Sequence, residues 1–526
     1  MPAHRLQQPG RAAARRAAHR RCVDHPSLAR RGGGRTKPSC GPSRRSRAAR
    51  RASAGNLLPQ RCTGAIAVEA RDMVPPQGSA VSVTWLSATS RKKSKGTHMP
   101  QRAVREAGGP MNRRRWRSLG AHAVSIGERA RSGATYNPLS RSVIQSPYET
   151  YARLRRHSPV HRSAILGSWV LTRYEDVLAA AKDHERFSND PRWRETTRSV
   201  LPPAPDDYSI LLVDPPEHTR LRRCAAKAFS KAHLKALQET IAHTAAELIE
   251  RAARRRRIDW IAEVAEPLAM RVMLAMMGLS ENEHRRWEAW SRSRARLLEL
   301  IATRPERKTA HNTGSEIRRY FMTLLHQRMQ SNEDDAISTL ARLAAAGDGI
   351  SMVEACDMLS VLMIAGNETT THLIGNGMLA LVRNREQMQR LREEPDRVRD
   401  AINEMLRFDS PVQTDFRIAK ADVIVRGRTI RTGDGAILLT GSANRDEAAF
   451  ENPDTFDITR KGPRHASFGH GVHQCIGAEL ARMEASAIFT EALRTLGTIE
   501  LTAREPYYRT STVIRGLAVL PLRVAA

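Results

Sequence analysis

The chain has 526 residues and carries 86 Lys and Arg against 55 Asp and Glu, a formal charge of +31. Residues 1–135 hold 29 of the basic and 5 of the acidic residues, leaving 57 against 50 for the remainder, so the body lacks the basic excess expected of a nucleic-acid-binding domain. No run of about 18 apolar residues is present, which excludes a membrane-spanning helix. Six scattered cysteines without paired CxxC spacing exclude a disulfide framework or a zinc module and fit a reducing, cytoplasmic setting.

Residues 1–135 are rich in Arg, Ala, Ser and Gly, with few aromatics and no sustained apolar period. Such a segment cannot bury enough surface to offset the entropy of ordering it. It reads as a disordered basic extension binding nucleic acid or anionic surfaces, as a transit peptide, or as an overextended start with translation beginning near Met99 or Met111. The last reading is preferred. From Tyr136 the texture is globular. Apolar residues recur at helical spacing over 148–157, 175–182, 232–254 and 353–382, and strand-like alternation covers 160–171, 424–430, 436–439 and 512–522. This describes a mainly α body with minor β, spanning 136–526. No GxGxxG opens a βαβ unit and no GKS or GKT is present, so no fused reductase is expected.

In chain order, Asp214-Pro215-Pro216-Glu217-His218-Thr219-Arg220-Leu221-Arg222-Arg223 opens a helix with proline and acidic residues in its first turn. His218 and Arg222 lie four apart and share a face. The bland reading is a solvated basic helix start. Ala365-Gly366-Asn367-Glu368-Thr369-Thr370 interrupts the long apolar helix at its middle, where a glycine and polar residues are locally unfavourable. The break predicts either a widened helix where something must fit or a kink with Thr hydroxyls bonded back to carbonyls. Glu404 and Arg407 stand three apart on one helix face and can pair, although E-x-x-R alone is common.

The most informative stretch is Phe468-Gly469-His470-Gly471-Val472-His473-Gln474-Cys475-Ile476-Gly477, followed by Leu480, Met483 and Glu484. Three glycines permit positive φ and close approach of backbone to a flat partner. The apolar period from Ile476 predicts a helix whose N-terminus holds the cysteine, where unpaired N–H groups favour a thiolate. A lone thiolate held by N–H donors suits an axial ligand to haem iron.

The ten-residue pattern F-G-x-G-x-H-x-C-x-G resembles the haem-binding signature of the cytochrome P450 family, and the other motifs follow in that family's order across essentially all of 136–526. The resemblance implies the cytochrome P450 fold, with haem b (iron protoporphyrin IX) between the long central helix and the proximal cysteine loop. Cys475 is then the iron ligand, and Ala365, Gly366, Phe468 and Gly477 lie against the cofactor. His218, Arg222, Arg417 and His473 reach the haem propionates. Glu368 and Thr369 form an acid–alcohol pair that relays protons during oxygen activation.

The resemblance makes Glu404 and Arg407 a structural pair, whose third partner in many relatives is an Arg just before the Phe of the segment equivalent to 451–456; this chain has Thr455 there. The pocket is expected to include Val361, Ile364, Gln413 and Val513, under a variable loop at about 192–210 stiffened by Pro202, Pro203 and Pro205. The implied activity is monooxygenation of a hydrophobic small molecule, with electrons from an external ferredoxin and an NAD(P)H-dependent reductase. Alternatives are a peroxygenase or oxidative coupling enzyme on the same scaffold, and, in another class, a haem-binding sensor or a nucleic-acid-binding protein using the basic extension.

Overall fold

The computed structural model describes residues 124–193, 210–298, 303–502 and 505–525. The helices expected from apolar spacing form as Tyr148–His157, Tyr174–Lys182, Lys231–Ala253 and Met352–Arg383. Each has a local cause. Tyr148–His157 buries Tyr151 and Leu154, with Glu149 in its first turn and Arg155, Arg156 and His157 in its last, matching the helix dipole. The central helix Met352–Arg383 opens with a capping box: the Ser351 hydroxyl accepts from the Glu354 N–H, and the Glu354 carboxylate accepts from the Ser351 N–H at 2.8 Å. Its 32 residues span about 48 Å at 1.5 Å per residue. The helical assignment is continuous through 365–370, so the expected widening at Gly366 is not a break in the backbone ladder.

Residues 124–132 are also helical, although composition assigned them to the basic extension. The reason is one carboxylate. Glu128 is buried, accepts from the Ala164 N–H and the Thr135 hydroxyl, and faces His161 Nε2 at 3.4 Å.

A five-stranded sheet joins, in spatial order, Val160–Ser163, Ser168–Leu171, Gly435–Leu438, Asp415–Ala419 and Phe187–Ser188. All pairings are antiparallel except Ser168–Leu171 with Gly435–Leu438. The stretch at 160–171 is therefore a hairpin rather than one strand, turned through Gly167 at φ 58°. Likewise 512–522 is not continuous strand. Leu517–Val519 and Pro521–Ala525 pair in different sheets, while 511–516 is a loop touching the strand level only through the Val412–Ile514 bridge. The main apolar cluster surrounds the central helix, which packs against Glu266–Met276, Arg304–Arg328 and Ala478–Thr495. No helix among the described residues is long and apolar enough to cross a membrane.

The 511–516 loop is anchored by a buried ionic knot. Asp409 accepts from Arg515 Nε at 2.6 Å, from the Tyr148 hydroxyl at 2.5 Å and from the Tyr508 hydroxyl at 2.7 Å, and Arg515 stacks on the Tyr508 ring. Burial alone would raise the Asp409 pKa, but Arg515 and the two phenols outweigh it and hold it below the ordinary 3.8. A depressed carboxylate contributes stability that is present above its unfolded value and lost as pH falls through the folded one. Asp409→Asn is expected to cost about 3 kcal/mol at neutral pH, because Arg515 is left buried without its counter-charge. Thermal melts should show the gap from wild type closing on acidification below about pH 4; a gap independent of pH would show that charge is not its source.

Candidate active site

Cys475 lies in a loop shaped by glycines. Gly469 and Gly471 have φ of 66° and 76°, and a Cβ on Gly471 would lie 2.6 Å from the Ala181 carbonyl oxygen. The Cys475 N–H donates to the Phe468 carbonyl at 2.8 Å, closing the loop on itself. The helix starts at Ala478 with Gly477 as its N-cap, two residues later than the apolar pattern implied, and the Gly477 N–H is directed at the Cys475 sulfur. Burial raises the Cys475 thiol pKa, and the Gly477 N–H, Arg222 and Arg482 pull against it without cancelling it. Of the three described cysteines, Cys475 alone presents accessible surface. Cys224 donates to the Asp348 carbonyl and Cys356 to the Arg318 carbonyl.

Four basic side chains converge beside this loop. His218 comes from helix Glu217–Ala228, Arg417 from strand Asp415–Ala419, and His473 from the cysteine loop; the His218 and His473 rings stand 4.2 Å apart. Burial and then Arg222 lower the His218 pKa to about 4. Burial, then His218, Arg417 and Arg222, lower that of His473 to about 3. His473 Nε2 is buried with no hydrogen-bond partner, and Arg417 is 2% exposed with Asp415 at 2.9 Å. At neutral pH the two arginines carry the positive charge and the two imidazoles are neutral donors, a set complementary to an anion. A flat, dianionic, cysteine-ligated cofactor fits this set of donors: the glycine loop gives close approach, the arginines and imidazoles can donate to its carboxylates, and the orphaned His473 nitrogen gains a partner.

The central helix presents two adjacent stripes four residues apart, Val361–Ala365–Thr369 and Ile364–Glu368–His372. Ala365 is exposed in the midst of a mostly buried helix, and Val361, Ile364 and Thr369 are partly so. The Thr369 hydroxyl donates to the Ala365 carbonyl at 2.7 Å, the back-bonded state expected of a mid-helix threonine. Glu368 faces His372 Nε2 and Arg509, each at 3.8 Å. A Cβ on Gly366 would strike the Met273 sulfur, so glycine there lets helix Glu266–Met276 pack close to the central helix. Phe468 packs under Arg482, whose guanidinium carbon lies 4.5 Å from the ring centre.

Gln413 is 5% exposed; its carbonyl accepts from the Tyr151 hydroxyl at 3.1 Å and its amide donates to the Ser410 carbonyl at 2.8 Å, and it lines a small cavity with Tyr151 and Val513. Val412 and Thr414 on either side are partly exposed. Val513 is partly exposed, and its carbonyl accepts from the Gln413 N–H at 2.9 Å. Residues 194–209, most of the expected pocket loop with its prolines, lie outside the described residues.

Glu404 and Arg407 pair at 2.7 and 2.8 Å, both nearly fully buried. The third partner missed from sequence is Arg460, whose Nε reaches both Glu404 oxygens at 3.2 Å. It lies four residues beyond Phe456, just past the segment where it was expected. Arg407 engages all five donors, two on Glu404 and the others on the carbonyls of Asn444, Pro453 and Thr455. The segment leading to the cysteine loop is thereby clamped.

The family model for Cytochrome P450 matches residues 162–520. The chain is 32% identical over 385 residues to the biotin biosynthesis cytochrome P450 of Bacillus subtilis (strain 168), covering 73% of this chain and 97% of that one. It is 35% identical over 389 residues to the vitamin D(3) 25-hydroxylase of Pseudonocardia autotrophica, covering 72% and 94%. The solved structure of the bacillaene polyketide synthase cytochrome P450 PksS of Bacillus subtilis 168 superposes with a TM-score of 0.69 at 30% identity, covering 74% of this chain and all of that one.

Proposed function

Because the chain belongs to the cytochrome P450 family, we propose that this monooxygenase inserts one oxygen atom of dioxygen into a hydrophobic small molecule, by hydroxylation or epoxidation. Haem b is the cofactor, and electrons come from a ferredoxin-type donor with an NAD(P)H-dependent reductase. The observation that carries the reading is the convergence of a cysteine in a glycine-shaped loop with two arginines and two imidazoles, one of which keeps an unpartnered buried nitrogen. When bound, the haem supplies the redox chemistry of oxygen activation, which no side chain can supply.

The protein's own groups do the rest. Cys475 ligates the iron, and the Gly477 N–H tempers the sulfur's electron donation. His218, Arg222, Arg417 and His473 take the propionates. Ala365 offers a methyl rather than a bulky side chain where the central helix is open. The Thr369 hydroxyl, now donating to Ala365, turns to pass a proton inward, and Glu368 replenishes it. Val361, Ile364, Val412 and Val513 make an apolar wall for the substrate, which suits a terpenoid, polyketide, steroid or fatty acid.

The test is a panel of such molecules scored by the spin-state shift of the ferric enzyme, followed by turnover of a hit under labelled dioxygen. One labelled oxygen atom in the product supports the reading. Product formed equally well from peroxide without reductant would assign a peroxygenase instead. With that substrate, Thr369→Val and Glu368→Gln are each expected to cut the share of reducing equivalents reaching product by about 10²-fold, the lower range for a positioned proton donor, and to raise peroxide release. Unchanged coupling in both variants would remove their proton roles.

A further inference from the structure

His372 occupies the turn after Thr369 and is 1% exposed. Its Nδ1 has no hydrogen-bond partner, and its Nε2 faces the Glu368 carboxylate at 3.8 Å. The ring fits only because residue 516 is glycine: a Cβ there would coincide with the imidazole. A buried imidazole usually settles against a carbonyl or hydroxyl, whereas this one is directed at the acid of the proton relay.

The far side of Glu368 opens on a narrow cleft lined by Glu266, Glu288, Ser291, Arg292, Asn367 and Arg509. Its open space is about 20 Å³, enough for a single water. Arg509 bonds Glu266 at 2.8 Å while lying 3.8 Å from Glu368, and Arg292 lies 3.8 Å from Glu266. Charged groups thus step outward from Glu368 across three packed elements: helix Glu266–Met276, helix His284–Ala295, and the segment after strand Tyr507–Tyr508.

We propose that His372 is a positioning residue for oxygen activation: with Arg509 it holds the Glu368 carboxylate against this cleft, so that protons enter from the Glu266 and Arg292 side. A proton arriving on cleft water moves to Glu368 and leaves it toward Thr369, which regenerates the carboxylate. The separations of 3.8 Å are too long for direct hydrogen bonds and suit a water bridge or a charge contact. Burial would raise the Glu368 pKa, but His372, followed by Arg509 and Arg292, outweighs it and leaves the carboxyl below its ordinary value. The proposal rests on the proton role given to Glu368 above.

The experiment uses the ferrous carbon-monoxide holoenzyme labelled with 15N-histidine. The His372 resonances are assigned by their loss in His372→Asn and compared at one fixed pH in wild type and Glu368→Gln. Removing the Glu368 charge is expected to move the His372 Nε2 resonance. An unmoved resonance overturns the proposal. In turnover, His372→Asn is expected to raise peroxide release and shift the pH profile of coupling, with substrate affinity by spin-state shift unchanged. Gly516→Ala should do the same by displacing the ring. A loss of affinity with intact coupling would also overturn the proposal. If the His372 resonance moves but Glu368→Gln leaves turnover coupling intact, the proton role of Glu368 itself fails, which separates that failure from loss of the contact.

Discussion

Replacement of Cys475 by serine is expected to abolish monooxygenase turnover while leaving the protein folded. Serine is close to isosteric with cysteine, so the polypeptide itself should still fold. The loss in chemistry is total because a serine hydroxyl stays protonated and donates far less electron density to iron than a thiolate. The ferrous carbon-monoxide difference spectrum checks it: wild type should show the long-wavelength Soret band of thiolate ligation, and Cys475→Ser should lack it with a similar melting temperature. Persistence of that band in the variant would falsify the ligand assignment. Cys224 and Cys356 are poor substitutes, since both sulfurs are already directed at backbone carbonyls.

Arg407→Ala is expected to be the most damaging substitution away from the cofactor. It leaves Glu404 in the interior with only the longer contacts of Arg460 and the Asp457 N–H, and removing one partner of a buried ion pair costs about 3–5 kcal/mol. It also frees the carbonyls of Asn444, Pro453 and Thr455, each of which loses its Arg407 donor. Against a total stability of about 5–15 kcal/mol, that is enough to lower the melting temperature by about 5–10 °C and to loosen the chain entering the cysteine loop. Differential scanning calorimetry and haem retention after gel filtration would read both effects. Arg460→Ala should do less, about 1–2 kcal/mol, because Arg460 is partly exposed and its bonds to Glu404 are long. Equal losses in the two variants would mean that the clamp is not centred on Arg407.

Several site features were legible before any fold was known because neighbours in sequence carry them. The cysteine loop needs glycines, a cysteine and a helix start within ten residues, and the chain writes them consecutively. The pairing of Glu404 with Arg407 follows from helical spacing, and the long central helix from its period and its cap at Ser351 and Glu354. Gly366 was legible as an anomaly, but its cause was not: a polar interruption is local, whereas Met273, the group it accommodates, lies 93 residues earlier.

The sequence by itself determined the family, and it proposed the iron ligand and the set of basic and acidic side chains for the site, since these depend on residue type and short spacing. Only the tertiary structure decided which way those side chains turn and what meets them. Gln413, for instance, turned to Tyr151 and Ser410. Arg460 could complete the Glu404 pair only once a loop had folded back, and His372 could approach Glu368 only because Gly516, 144 residues on, left room for its ring. Contacts of that range depend on how helices and loops stack, and their energies come from burial and charge that no local pattern encodes.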